Sequence, residues 1–202
     1  MSKPAKSRGS YDPERTRQLL VDSAIKLFSE RGFSGTSMQD IVAGAGVTKG
    51  AFYHHFESKE DVLKLIHDQF LEAQAQEMER ILAEFSSPVD QLRETIKMSV
   101  RGVVEYREHV AIFFQERRNL TGERAQQVRA RRDEVDRQIA DIIRRGQDSG
   151  DFDSRISVPV AVYGWVGMSA WVYTWFRPGL GMTAEDVANQ LAMLVLDGLL
   201  AK

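Results

Sequence analysis

The stretch SGTSMQDIVAGAGVTKGAFYHHF, residues 34–56, decides how this chain is read. Thr36 followed three residues later by Gln39 has the spacing of a capping box, so a helix is expected to open at Thr36. Its apolar residues are Met38, Ile41, Val42 and Ala45. Gly44 and Gly46 then break the chain, and a second short helix is expected from Thr48 to about Phe56. Two short helices joined by a glycine-containing turn have the layout of a helix-turn-helix. Ala43, Ala45 and Gly46 are small enough for the two helices to approach closely, and Ile41, Val47 and Phe52 can fill the core between them. The second helix is left offering Thr48, Lys49, Gly50, Ala51, Tyr53, His54 and His55 outward.

Those outward residues suit double-stranded DNA. A recognition helix lies in the major groove and reads base edges with its N-terminal residues. Lys49 can donate to guanine O6 and N7, Thr48 can bond a base or a phosphate, and Ala51 can touch a thymine methyl beside Gly50, which allows close approach. Tyr53, His54 and Lys59 suit phosphates, which position the protein without specifying sequence. The amide end of the preceding helix, at Thr36 and Ser37, is expected to hold a phosphate through the helix dipole. Phe52 and Phe56 are read as core.

Working outward, helical periodicity continues in both directions, and few segments alternate with period two, so the chain is read as all-α. Asp12 caps a first helix with Pro13 at its first position, the stripe Leu20, Ala24, Leu27 and Phe28 marks its buried face, and Gly32 stops it. Ser58, with Asp61 three residues on, opens a long helix over residues 59–85. Further helices are expected over residues 89–106, 109–116, 123–147, 158–176 and 183–200, the last capped by Thr183 with Asp186. Three parts follow: a disordered basic arm at residues 1–11 carrying Lys3, Lys6 and Arg8, a helix-turn-helix domain at 12–58, and an all-helical remainder at 59–202.

The chain has 202 residues, no cysteine, and a net charge of −2. Disulfide scaffolds and thiolate metal chemistry are excluded. A hydrophobic fraction of 43% argues against a disordered chain. The opening MSKPAKSRGSYDPER lacks an apolar core, so no secretory signal is read and a cytoplasmic protein is expected. The near-neutral total hides an asymmetry. Residues 1–59 hold nine Lys or Arg and six Asp or Glu, a net of +3, while residues 60–202 hold 18 and 23, a net of −5. A modest positive head fits docking through a few phosphates, and that docking is salt-sensitive.

Several other patterns fail on chemistry. GAGVTKG, residues 44–50, lacks a preceding strand and has Gly50 where a phosphate loop needs Ser or Thr. His54 and His55 are adjacent and diverge on a helix, so no metal pair forms there, and no catalytic constellation is seen. No cofactor is expected. Arg129, Arg131, Arg132, Arg144 and Arg145 are interleaved with Asp133, Glu134, Asp136 and Asp141, the pattern of a solvated helix face. Ile156 to Phe176 runs 21 residues without a charge, but Pro159 and mid-span Tyr and Trp argue for a helix buried on nearly all sides rather than a membrane span.

The segment from Leu27 to Leu63 resembles the TetR family of transcriptional repressors. The likeness rests on an aromatic-glycine start, Thr36, Ile41-Val42-Ala43, Ala45-Gly46-Val47, Tyr53, Phe56, Lys59 and Glu60. The resemblance implies a homodimer that binds a palindromic operator with its first helices, pairs through its last two helices, and holds a small effector in its C-terminal part. The stripe Val187, Leu191, Leu194, Val195 and Leu199 fits such a pairing, because a lone monomer would leave it uncovered. Candidate effector contacts are Tyr106, Phe113, Phe114, Trp165, Met168, Trp171 and Trp175, with Val103, Tyr163 and Val172 nearby in type. Residues 109–123 and 171–200 are similar to TetR regulators of fatty-acid and steroid breakdown, which implies an acyl-CoA effector whose anionic part meets Arg101, Arg117 or Arg177. A hydrophobic drug controlling an efflux gene, or a sequence-tolerant architectural DNA binder, are the competing readings.

Overall fold

The structure is a computed structural model that describes residues 12–179 and 181–200. The basic arm expected at residues 1–11 lies outside the described residues. The chain divides into two compact units, with the division between Val62 and Leu63.

The first unit contains α1 (Pro13–Arg31), α2 (Met38–Ala45), α3 (Lys49–His55) and the start of α4 (Lys59–Glu84). Each boundary has a local cause. The Asp12 side chain accepts from the Arg15 amide, and Pro13 follows it. Gly32 ends α1 at a φ of 73°, and Gly46 ends α2 in the left-handed region at 66°. The side chain of Thr48 caps α3 by accepting from the Ala51 amide at 3.2 Å. Leu20, Ala24, Phe28, Phe33, Ile41, Phe52 and Phe56 are buried, while Val47 is only half-buried.

Two details of this unit differ from the sequence reading. Gly44 does not break the chain. It lies inside α2, where an added Cβ would sit 2.4 Å from the Ser23 hydroxyl of α1, and that hydroxyl donates to the Ile41 carbonyl at 2.9 Å. The close-approach residue of the α1–α2 contact is therefore Gly44. The capping box also sits one residue later than expected. Ser37 is the N-cap, the Asp40 amide donates to its hydroxyl, and the Ser37 amide and hydroxyl donate to the Asp40 carboxylate at 2.8 and 2.5 Å.

The second unit contains the rest of α4, then α5 (Pro88–Glu105), α6 (Arg107–Glu116), a single 3-10 turn (Arg117–Asn119), α7 (Gly122–Asp148), α8 (Val158–Trp175) and α9 (Ala184–Leu199). Helix α5 packs against α7, α8 and α9. The core around it takes Met78 and Ile81 from α4, Leu92 and Ile96 from α5, Ile139, Ile142 and Ile143 from α7, Trp165 from α8, and Val195 and Leu199 from α9. The α7–α8 connection is locked down. Phe152 lies across Gly146, where a Cβ would come within 2.1 Å of its ring, and the Asp153 amide donates to the Leu199 carbonyl at 2.8 Å. Thr183 and Asp186 form the capping box that opens α9.

Two expectations about this unit are corrected. The α9 stripe is mostly interior: Val187, Val195 and Leu199 are buried within the unit, and the exposed apolar residues of α9 are Met193 and Leu194. Helix α8 is not covered on nearly all sides. Ala161, Val162, Trp165, Ser169 and Val172 are buried, whereas Val160, Tyr163, Met168, Trp171 and Trp175 are exposed. Among the described residues, no helix is long and apolar enough to cross a membrane.

Candidate nucleic-acid interface and ligand cavity

Helix α3 presents a largely exposed surface. Thr48, Lys49, Gly50, Tyr53 and His54 are exposed, and Ala51 is half-buried. Lys49 Nζ stands 5.7 Å from the centre of the Tyr53 ring, so a cation and an aromatic hydroxyl share one face. Tyr53 keeps 53% of its surface exposed, while its neighbour Phe52 is fully buried and anchors the helix. Nothing within the protein requires Gly50 to be bare, since a Cβ there would meet only the Thr48 hydroxyl at 3.8 Å. His55 turns partly inward, and burial pushes its pKa down.

Thr36 and Lys59 are placed differently from the sequence expectation. Thr36 is 1% exposed, and its hydroxyl donates to the Gly32 carbonyl at 2.8 Å and to the Leu27 carbonyl at 3.3 Å. Its side chain closes the α1–α2 turn and is not presented to a phosphate. Lys59 Nζ donates to the Phe33 and Thr36 carbonyls at 2.8 and 2.9 Å and stands 4.2 Å from the Phe33 ring centre. That ammonium satisfies the turn's carbonyls instead of reaching outward. Ser37 is exposed, but the Asp40 carboxylate already occupies the N-terminus of α2. Hydrogen bonds from the Ser37 hydroxyl and amide hold that carboxyl below its usual range, so it stays charged and competes with any phosphate there.

The second unit contains a partly open cavity of about 310 Å³, within the size range of small-molecule sites. Phe70 and Leu71 of α4, Met98 of α5, Phe113 and Phe114 of α6 and Trp165 of α8 supply apolar lining. A polar side is built by Gln74, Ser99, Arg117, Arg132 and Asp136. Burial pushes the Asp136 carboxyl up, partly offset by Arg132, whose Nε lies 3.9 Å from it. The Trp165 indole N–H is buried without a hydrogen-bond partner.

Of the effector contacts expected from sequence, Phe113, Phe114 and Trp165 line this cavity. Tyr106 lines an adjoining cleft. Met168, Trp171 and Trp175 line neither and are exposed on α8. Arg101 is engaged by a two-pronged pair with Glu185 at 2.8 and 2.9 Å. Arg177 donates to the Phe176 carbonyl and is absent from the cavity lining. Val103 of α5, Tyr163 of α8 and Arg117, also named from sequence, line the cavity as well; sequence reasoning missed the α4 and α7 walls and the rest of the α5 wall. Their residues are spread over three amphipathic helices, and only the fold brings them together. Among the described residues, no cluster of three or more His, Asp or Glu side chains could hold a metal ion.

A small helix-turn-helix unit followed in the chain by an all-helical unit with a largely apolar cavity is the architecture of a one-component DNA-binding regulator. The chain matches the bacterial regulatory proteins of the tetR family over residues 20–66 and the tetracyclin repressor-like C-terminal domain over residues 86–199. It is 32% identical to the HTH-type transcriptional repressor KstR2 of Rhodococcus jostii over 198 residues, covering 97% of this chain and 96% of that one. The structure of the ketosteroid transcriptional regulator KstR2 of Mycobacterium tuberculosis superposes with a TM-score of 0.84 at 25% identity, covering 98% and 100%. AibR, solved in complex with isovaleryl coenzyme A and operator DNA, superposes with a TM-score of 0.80 at 27% identity, covering 89% and 97%. This chain belongs to the TetR family of transcriptional regulators, which are not enzymes.

Proposed function

We propose that this protein is a dimeric repressor of a palindromic operator, released by a small, largely apolar effector of the acyl-CoA thioester class. The observation that carries the reading is the pairing of an exposed, mostly polar α3 face with a largely apolar cavity in the other unit. Lys49 and Thr48 serve as base-edge readers, and Tyr53 and His54 as phosphate contacts. Ser37, whose amide and hydroxyl are both taken by the Asp40 carboxylate, is left out of the contact set, while Gly50 and Ala51 keep the helix close to the groove. The acyl-CoA class is supported by the apolar cavity with one polar side, and by AibR, a relative of similar fold that was solved with isovaleryl coenzyme A and operator DNA.

Control follows from linkage. If the effector favours a conformation that binds the operator poorly, the operator disfavours effector binding by the same factor. Helix α4 is the natural carrier, because Phe70 and Leu71 line the cavity and the same helix begins at Lys59 in the DNA-reading unit.

The test is operator binding by Lys49→Ala and Tyr53→Ala. Both side chains are exposed, so the fold and the dimer should persist, while each loss removes about 1–3 kcal/mol of operator affinity per half-site. Unchanged affinity in both variants would remove α3 as the reading helix. Competition with unrelated DNA separates this reading from a sequence-tolerant architectural binder, since a repressor should prefer its palindrome by orders of magnitude.

A further inference from the structure

Residues 117–132 hold six arginines and one acidic residue, although residues 60–202 as a whole carry a net charge of −5. The fold sorts five of these arginines into two groups. Arg131 pairs with Asp68 and Glu72, and Arg132 with Asp133 and Asp136. Arg117, Arg118 and Arg129 form no ion pair among the described residues, and all three are exposed. They line a cleft of about 470 Å³ between the 3-10 turn and α7. That cleft and the apolar cavity share Phe113, Arg117 and Arg132 as lining. An apolar chamber therefore adjoins a basic groove, and the shared arginines stand at the junction.

From this juxtaposition we infer that the groove of Arg117, Arg118 and Arg129 is the anion subsite for a two-part effector, whose apolar body fills the cavity and whose phosphorylated head lies on the arginines. The inference rests on the effector reading above and adds the recognition of the head. Three unpaired guanidiniums held on one side of an acidic unit lower the free energy of a phosphate group, and forked N–H donors match its oxygens. A free fatty acid would use the chamber and leave the groove empty. A coenzyme A thioester or a phosphorylated lipid would use both.

The experiment is calorimetric titration of the full chain with octanoate, octyl phosphate, coenzyme A and octanoyl-CoA. The comparison protein is the triple variant Arg117→Gln, Arg118→Gln, Arg129→Gln. Exposed positions make the variant a fair probe of the groove, and an unchanged thermal melt confirms its fold. At least one phosphorylated octyl probe should bind the wild type roughly tenfold or more tightly than octanoate, with an advantage that shrinks as salt is raised. The variant should lose that advantage and bind octanoate as the wild type does. If octyl phosphate shares the advantage, a single phosphate suffices; if only octanoyl-CoA does, the head is the nucleotide. Octanoate binding with no gain from either head, or a gain the variant retains, overturns the arginine subsite and leaves the effector cavity standing. No binding by any probe overturns both.

Discussion

His67 is the residue whose chemistry sits least comfortably in the fold. It lies on α4 with no exposed surface, its ring stands edge-on to Phe113 at 5.0 Å, and neither ring nitrogen has a hydrogen-bond partner. Burial drives its pKa down to about 4, and the neighbouring Asp68 offsets only part of that. The sign follows directly. A histidine with a depressed folded pKa binds fewer protons in the native state, so stability is full above its unfolded pKa near 6.5 and is lost as pH falls from there toward about 4. The loss is on the order of 3 kcal/mol once both states are protonated. Carboxylates held down by their partners, such as Asp40 and Asp186, lose their contributions only at lower pH; in the window between, His67 carries the large shift, His55 adds to it in the same sense, and Asp136, pushed up by burial, acts in the opposite one. His67→Leu should flatten the denaturation midpoint between pH 6.5 and 4.5 and cost nothing at pH 7, because it removes two unsatisfied buried nitrogens. Chemical denaturation at a series of pH values reads both effects, and a variant as acid-labile as the parent would refute the assignment.

At the scale of elements, the helix boundaries were legible because they are written in local chemistry. Asp12 with Pro13, Gly32, Gly46, Thr48 and the Thr183–Asp186 box each act within four residues of themselves. What was not legible depends on a second element. Thr36 has the right spacing for a cap, but its hydroxyl is taken by the Gly32 and Leu27 carbonyls, so Ser37 and Asp40 form the box instead. Lys59 reads as a phosphate contact until Phe33 and Thr36 offer it their carbonyls. Glycine shows the same division. Gly44 and Gly146 are both inside helices, where glycine is unfavourable by propensity, and each is explained only by what crosses it. Gly146→Ala pushes a Cβ into the buried Phe152 ring that closes the α7–α8 connection, and should destabilise by ~3 kcal/mol. Gly44→Ala meets the smaller Ser23 hydroxyl and should cost ~1–2 kcal/mol while moving α2 relative to α1. Operator binding should therefore weaken in Gly44→Ala at temperatures where the protein remains folded. Thermal melts paired with operator titrations check the contrast, and equal destabilisation with unaltered operator affinity would contradict it.

At the scale of the whole molecule, the 21-residue uncharged run, Ile156–Phe176, that contains α8 finds its reason in two apolar faces rather than in a fully buried or membrane setting. One face, Ala161, Val162, Trp165, Ser169 and Val172, is buried inside its own unit. The other follows at helical spacing through Val160, Tyr163, Gly164, Gly167, Met168, Trp171 and Trp175, all exposed in the single chain, and α9 adds exposed Met193 and Leu194. An apolar stripe of this length has little place facing water, and Gly164 and Gly167 leave room for a helix to approach, since a Cβ at either would meet nothing within 4 Å. A second copy of the chain, pairing α8 and α9 with their counterparts, is the occupant we propose. It also supplies what one head cannot: two recognition helices for successive major grooves about 34 Å apart on a palindrome. Trp171→Glu combined with Leu194→Glu places charges on that stripe and leaves the buried face untouched. The variant should sediment as a monomer with unaltered helicity, and its operator affinity should fall by orders of magnitude although every α3 side chain is intact. Sedimentation velocity on both proteins decides it: a variant that stays dimeric at the parent's concentration would move the pairing surface elsewhere on the second unit.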